Sequence, residues 1–266
     1  MHPIEQLRYV ARAGGADAGL LVQEAASALG VFHNDPAALV TAARRLLTRQ
    51  PAVGPLWWMC TRLSLGADVR GEARGVIDEL RNDRTGRELA HALPDGATVV
   101  VAGWPDTIVD ALPRRGDVQV LVVDVEGQAS SVVRRLERSD MIAEDIDFAH
   151  VAGAVEEADL VLIEAAAAGA AAALTDVGNL ALAATARALH TPIWIVAAVG
   201  RRLPEPYWQA IVERCTDRDR VAWLNPFEVV PFGLVDRLVT VDGVHLPAEA
   251  GPPAMAIASE LLTELA

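Results

Sequence analysis

The chain contains no lysine; all 23 of its basic residues are arginine. That absence excludes a Walker-type phosphate-binding lysine, a Schiff-base lysine, a lysine-anchored pyridoxal cofactor and any lysine general base. Cysteine is almost as scarce. Cys60 and Cys215 stand far apart and form no CxxC pair, so no disulfide framework is expected and a reducing cytoplasm is the expected compartment. No run of about 18 apolar residues escapes a charge or a helix stop, so no membrane span is expected. The opening residues, MHPIEQLRYVARAGG, carry no apolar stretch ahead of a small-residue cleavage site and do not read as a signal peptide. Positive charge is short overall: 36 acidic residues against 23 basic leave a net charge of −13. Such a surface repels phosphate backbones, which argues against general nucleic-acid or anionic-membrane binding. A local arginine cluster can still hold one small anionic ligand.

The usual chemical signatures are missing as well. Where a GxGxxG loop would follow the first strand, the chain reads Ala102, Gly103, Trp104, Pro105. There is no GxSxG elbow, no HExxH and no GxxxxGK. The histidines (His2, His33, His91, His150, His190 and His245) are dispersed without ligand spacing, so neither a metal nor a cofactor is expected.

What is present is 266 residues, 52% apolar and 22% charged, enough for one large or two modest globular domains. Residues 4–12, 18–29, 36–49 and 53–65 carry apolar side chains at helical spacing, and a long segment over 68–93 does the same. Asp35 before Pro36 predicts an N-cap with proline in the first helical position. After Pro94 the period changes. Short continuous apolar runs at 98–102, 118–123, 160–163, 192–198 and 238–241 predict buried strands, with helices expected at 106–112, 130–137 and 177–190. Alternating strands and helices mean a parallel sheet covered on both faces. The expected architecture is α/β: a helical region over residues 1–93, then an open, mostly parallel Rossmann-like domain over 94–266. The alanine tract at 165–173 predicts a tightly packed turn or helix whose small side chains let backbones approach.

In such sheets ligands bind beyond the carboxyl ends of the strands, near a topological switch point. That rule selects Gly103 and Trp104, then Asp124 and Glu126, Glu164, and the pair Arg201 and Arg202. Asp176 and Asn179, at the start of a helix, join them. The adjacent arginines could clamp a phosphate or carboxylate. Trp104 could stack on a base or sugar, or simply pack. Asp176 could cap its helix while the helix presents amides to an anion.

Several stretches resemble the superfamily of the translation initiation factor 2B regulatory subunits and the related methylthioribose-1-phosphate and ribose-1,5-bisphosphate isomerases. They are DGATVVV at 95–101, DLVLI at 159–163, GNLALAA at 178–184 and PIWIVAA at 192–198. The fullest is NPFEVVP at 225–231, continuing through Leu234, Val235, Asp236, Thr240, Gly243, Val244 and Pro247. RQPAV at 49–53 echoes the family's RPTAV. The resemblance implies a homodimer formed through the C-terminal domain, with residues 215–266 in support.

The departures fall on the chemistry. Against the isomerase pattern, Gly103 stands where a cysteine is expected and Ala166 where the catalytic aspartate is expected. Thr175 and Asp176 replace an asparagine–lysine pair, and residues 14–17 replace an arginine-bearing loop. Arg202 matches a retained basic position. Three readings stand side by side. One is a non-isomerase that binds a small phosphorylated ligand (a sugar phosphate or nucleotide) or a protein partner. Another is an enzyme of altered, isomerase-like chemistry using Glu164 as base with Asp124, and Arg202 as the phosphate contact. The third is a purely structural oligomeric subunit.

Overall fold

The structure, a computed structural model, describes residues 18–216, 221–251, 253 and 255–263. The expected helix over residues 4–12 and the loop at 14–17 lie outside the described residues. The described chain opens with helices α1 (Ala18–Leu29), α2 (Pro36–Arg49), α3 (Gly54–Leu65), α4 (Val69–Arg81) and α5 (Thr85–Ala92). Asp35 caps α2 as its position predicts, accepting the Ala38 N–H at 2.9 Å. The single segment expected over 68–93 is instead two helices. Asp83 divides them: it accepts the Thr85 N–H and hydroxyl at 2.8 and 2.6 Å, which opens α5. Its other oxygen accepts the Val199 N–H at 3.0 Å, tying this break to the α/β part.

The strands are β1 (Thr98–Ala102), β2 (Gln119–Asp124), β3 (Ile142–Asp147), β4 (Leu160–Glu164), β5 (Ala167–Ala168), β6 (Ala172–Asp176), β7 (Ile193–Val196), β8 (Phe227–Pro231), β9 (Arg237–Thr240) and β10 (Gly243–His245). Seven of them form a sheet in the order β10-β9-β7-β4-β1-β2-β3, parallel except for the β9–β10 pair. The connecting helices are α6 (Asp106–Ala111), α7 (Ala129–Glu137), α8 (Val151–Glu157), α9 (Asn179–Leu189) and α10 (Glu205–Cys215). Val99, Val101, Val120, Val122 and Leu162 pack on one face, and Val100, Leu121, Val123, Val161 and Ile163 on the other. Both faces are buried, which is why these strands read as unbroken apolar runs. The chain steps outward from β1 to β2 and β3, then returns to place β4 on the opposite side of β1. The carboxyl ends of β1 and β4 therefore diverge into the switch-point crevice.

The alanine tract resolves into a turn. Ala167–Ala168 and Ala172–Asp176 form a hairpin that β8 extends into a second, three-stranded sheet. Ala167 and Leu174 of this hairpin join Leu56, Trp57, Leu63, Leu203, Tyr207 and Leu261 in the core beneath the helical layer. The Tyr207 hydroxyl fastens that layer, accepting from Thr61 Oγ1 at 2.8 Å and from the Ala258 N–H at 2.6 Å. Helix α3 meets the hairpin through glycine. The Gly54 N–H donates to the Ala166 carbonyl at 3.0 Å. A Cβ there would lie 2.9 Å from that oxygen and 3.2 Å from Ala167 Cα, both backbone atoms that cannot swing aside. Gly54→Ala is therefore expected to lower the unfolding free energy by about 1–3 kcal/mol through overpacking, read from urea denaturation.

Candidate functional site

At the carboxyl end of β1 the chain must turn sharply toward α6, and Gly103 does so with φ +65°. A Cβ on Gly103 would meet nothing within 4 Å, so the constraint is the backbone rather than space. An L-residue such as cysteine would be strained there. Trp104 follows, its indole N–H donating to Asp106 Oδ1 at 2.6 Å and the Arg135 guanidinium lying 5.8 Å from its ring centre.

Glu164 ends β4 and points across the crevice to the start of α6. Its Oε2 accepts the Thr107 and Ile108 N–H groups at 2.8 and 3.2 Å, and its Oε1 accepts the Thr107 hydroxyl at 3.0 Å. Arg201, arriving from beyond β7, places Nη2 2.6 Å from Oε1. The two side chains are only 10% and 9% exposed. Arg201 also donates to the Ala165 carbonyl and to Thr107 Oγ1. The carboxylate expected as a general base is thus a helix cap inside a buried ion pair, its oxygens already supplied with donors.

Asp124, the other carboxylate expected in catalysis, caps α7 by accepting the Gln128 and Ala129 N–H groups at 2.9 and 3.3 Å. The α9 N-terminus, expected to present amides to an anion, is also occupied. Glu228 Oε2 accepts the Gly178 and Leu180 N–H groups at 3.0 and 2.9 Å. The composition-level reading missed Glu228; its signal was its place in the NPFEVVP stretch. The Arg201–Arg202 clamp does not form. Arg202 turns the other way and donates to the Ala250 and Gly251 carbonyls, and burial lowers its pKa. Of this pair, only Arg201 reaches the crevice.

The crevice is a cavity of about 660 Å³. Its walls bring together Trp104, Glu126, Glu164, Asp176, Asn179 and Arg201 of the expected residues, and add Arg49 from the RQPAV stretch, Asp106 and Phe227. Ala166 sits on the same wall, with neither acid nor base to offer. Asp176 faces the solvent of this cavity yet is crowded by its walls. That desolvation, with Glu164 and Glu126 nearby, pushes its pKa up to about 6, Arg201 opposing only in part. Asn179, 5% exposed, donates its amide to the Asp176 carbonyl at 3.1 Å. The thiols lie elsewhere: Cys60 and Cys215 are buried, and burial raises both pKa values, that of Cys215 to about 12. Among the described residues no group of three or more His, Cys, Asp or Glu could hold a metal ion. No helix of the described residues is long and apolar enough to cross a membrane.

Neither the protein-family models nor the curated proteins include a match to this sequence. Solved structures do match, over nearly the whole chain. The translation initiation factor eIF-2B of Pyrococcus horikoshii superposes with a TM-score of 0.78 at 16% identity, covering 93% of this chain and 98% of that one. A chain of the tetrameric eIF2B-beta2-delta2 complex of C. thermophilum gives 0.74 at 15% identity, covering 94% and 92%. The 5-methylthioribose 1-phosphate isomerase of P. horikoshii gives 0.64 at 16% identity, covering 92% and 85%. The protein therefore has the fold shared by the initiation factor 2B subunits and this isomerase, the one that its sequence stretches resemble.

Two outcomes test the site geometry. Arg201→Met strands a buried carboxylate and is expected to cost about 3–5 kcal/mol in urea unfolding, while Glu164→Gln combined with Arg201→Met recovers part of that loss. Asp176 acts in the opposite sense. Its raised pKa means that the native state holds the proton more tightly than the unfolded chain, so ionising it opposes folding. The penalty is complete above about pH 6 and vanishes below the ordinary value of 3.8. Asp176→Asn is expected to stabilise the protein by about 1 kcal/mol at pH 7, after allowance for solvent screening, and by nothing at pH 3.5.

Proposed function

We propose that this protein is a non-isomerase of the initiation factor 2B type, which works by assembling with partner chains rather than by turning over a sugar phosphate. The observation that carries the reading is the state of the crevice. Its one buried cation, Arg201, is bound to Glu164, and the positions where the isomerases are expected to hold cysteine and aspartate are Gly103 and Ala166. Proton transfer between adjacent sugar carbons needs an acid and a base within reach, and neither matched position supplies one. A phosphorylated metabolite in the crevice would meet Glu126 and Asp176 and a helix end already capped by Glu228. A protein partner meets no such obstacle.

The likeness to a tetrameric complex of beta and delta chains supports an assembly role. The expected contact is a homodimer through residues 215–266, formed in the cytoplasm. One observation favours a second reading, an enzyme of altered chemistry: the Asp176 carboxyl, poised near neutrality in a cavity, is the kind of group that performs general acid–base work.

Incubation with methylthioribose 1-phosphate or ribose 1,5-bisphosphate is expected to give no product above the buffer rate, while light scattering reports a dimer or larger species at micromolar concentration. Turnover of either substrate contradicts the non-isomerase reading. A monomer contradicts the assembly reading.

A further inference from the structure

We infer that this protein pairs with a second copy of itself across an apolar patch that Trp223 anchors and that takes in the outer face of α9. The inference rests on the assembly reading, and it goes beyond residues 215–266 by naming the anchor and the surface that receives it. Trp223 is 83% exposed, and Val221 and Leu224 beside it are 45% and 58% exposed. An indole left in water forgoes one of the largest gains that burial gives any side chain. Single bare apolar residues are ordinary on a protein surface, whereas a contiguous group led by a tryptophan marks a contact surface.

The turn that carries Trp223 is fastened to the start of α9. The Val177 N–H donates to the Pro226 carbonyl at 3.0 Å, and Asp176 stands opposite Phe227 across the β6–β8 pair. Glu228 then accepts the Leu180 N–H at 2.9 Å. Helix α9 turns Leu182, Ala183 and Ala186 into the core. Its positions at Leu180, Ala184 and Ala188, four residues apart along one face, are exposed. The two apolar surfaces therefore adjoin. Charge is nearly absent from both: residues 221–226 carry none, and Arg187 is the one charged residue of α9, with Asp236 3.6 Å away.

Charge selects the second copy as the occupant. Each chain carries a net −13, so two copies repel wherever their acidic faces meet, and the contact that costs them least is one free of charge. A basic partner would instead be drawn to carboxylates, and neither the turn nor α9 contains one. Size agrees. A tryptophan buries about 150–250 Å², a sizeable share of the ~800 Å² that each partner gives to a standard interface. The patch also sets bulk beside a shallow surface. Twofold pairing lays each Trp223 against the alanines of the opposite α9, so one fit is made twice.

The test is sedimentation velocity of the full chain at micromolar concentration, at low and at high salt. The wild-type chain is expected to be a dimer that high salt does not dissociate, because salt screens the repulsion between the copies and leaves an apolar contact in place. Trp223→Glu and Leu180→Glu should each raise the dissociation constant tenfold or more. Both side chains are exposed, so the variants are expected to melt as cooperatively as the wild type. Leu65→Glu adds the same charge at a 50% exposed leucine of the helical layer and should leave the dimer unchanged. A wild-type dimer that Trp223→Glu or Leu180→Glu leaves intact overturns the inference and leaves the assembly reading standing. So does a loss at Leu65→Glu equal to that at Trp223→Glu, which marks added charge rather than a contact. A wild-type monomer overturns both, and its flotation with phosphatidylcholine vesicles would give the patch to a lipid surface instead.

Discussion

The Glu164–Arg201 ion pair is the constraint on which the crevice depends. It joins three pieces of chain: the end of β4, the start of α6 and the segment beyond β7. At the switch point the strands diverge, and helix α6 begins with N–H groups that the sheet cannot satisfy. Glu164 satisfies two of them and brings negative charge to the positive end of the helix. A buried carboxylate needs a counter-charge, and Arg201 provides it at 2.6 Å. The arrangement fixes the mouth of the cavity, and in doing so it uses the one buried cation that the described crevice contains.

The same solution recurs around the site with other residues. Asp124 caps α7, Glu228 caps α9 and Asp83 opens α5, each carboxylate closing a helix end that could otherwise hold an anion. With no lysine in the chain, arginine is the permanent cation on hand, and Arg202 turns away to the carbonyls of residues 250 and 251. The cavity is left with an excess of carboxylate, and Glu164 and Glu126 add to the desolvation that raises the pKa of Asp176. A fold can thus keep its sheet order and its crevice while the sign of the field inside the crevice is set by a few side chains.

The apolar strands were legible because burial on both faces leaves a run such as Val99, Val100, Val101 without interruption. Strand β3 was not: it lies at the sheet edge, pairs on one side only and reads IAEDID, with Ile142 69% exposed. An edge strand blunted by acidic residues carries no buried pattern to detect. The break between α4 and α5 was hidden because Asp83 draws its partners from Thr85 and from Val199, 116 residues away. Among the site residues, the switch-point rule found Glu164, Asp176, Asn179 and Arg201 as neighbours. What it could not supply was their engagement. Whether a carboxylate at a strand end is a base or a cap depends on the helix that the fold sets in front of it, and whether two adjacent arginines converge depends on the direction each side chain leaves the backbone.

The walls of the crevice carry more carboxylates than arginines, and Asp176 is the carboxyl that desolvation and its neighbours Glu164 and Glu126 hold above the ordinary range. Carboxyl ¹³C NMR titration of Asp176, assigned through the Asp176→Asn variant, tests it most directly. A midpoint of about 6 is expected. A midpoint at the ordinary aspartate value of 3.8 or below would contradict it, because Arg201 would then be offering its charge to the cavity rather than spending it on Glu164.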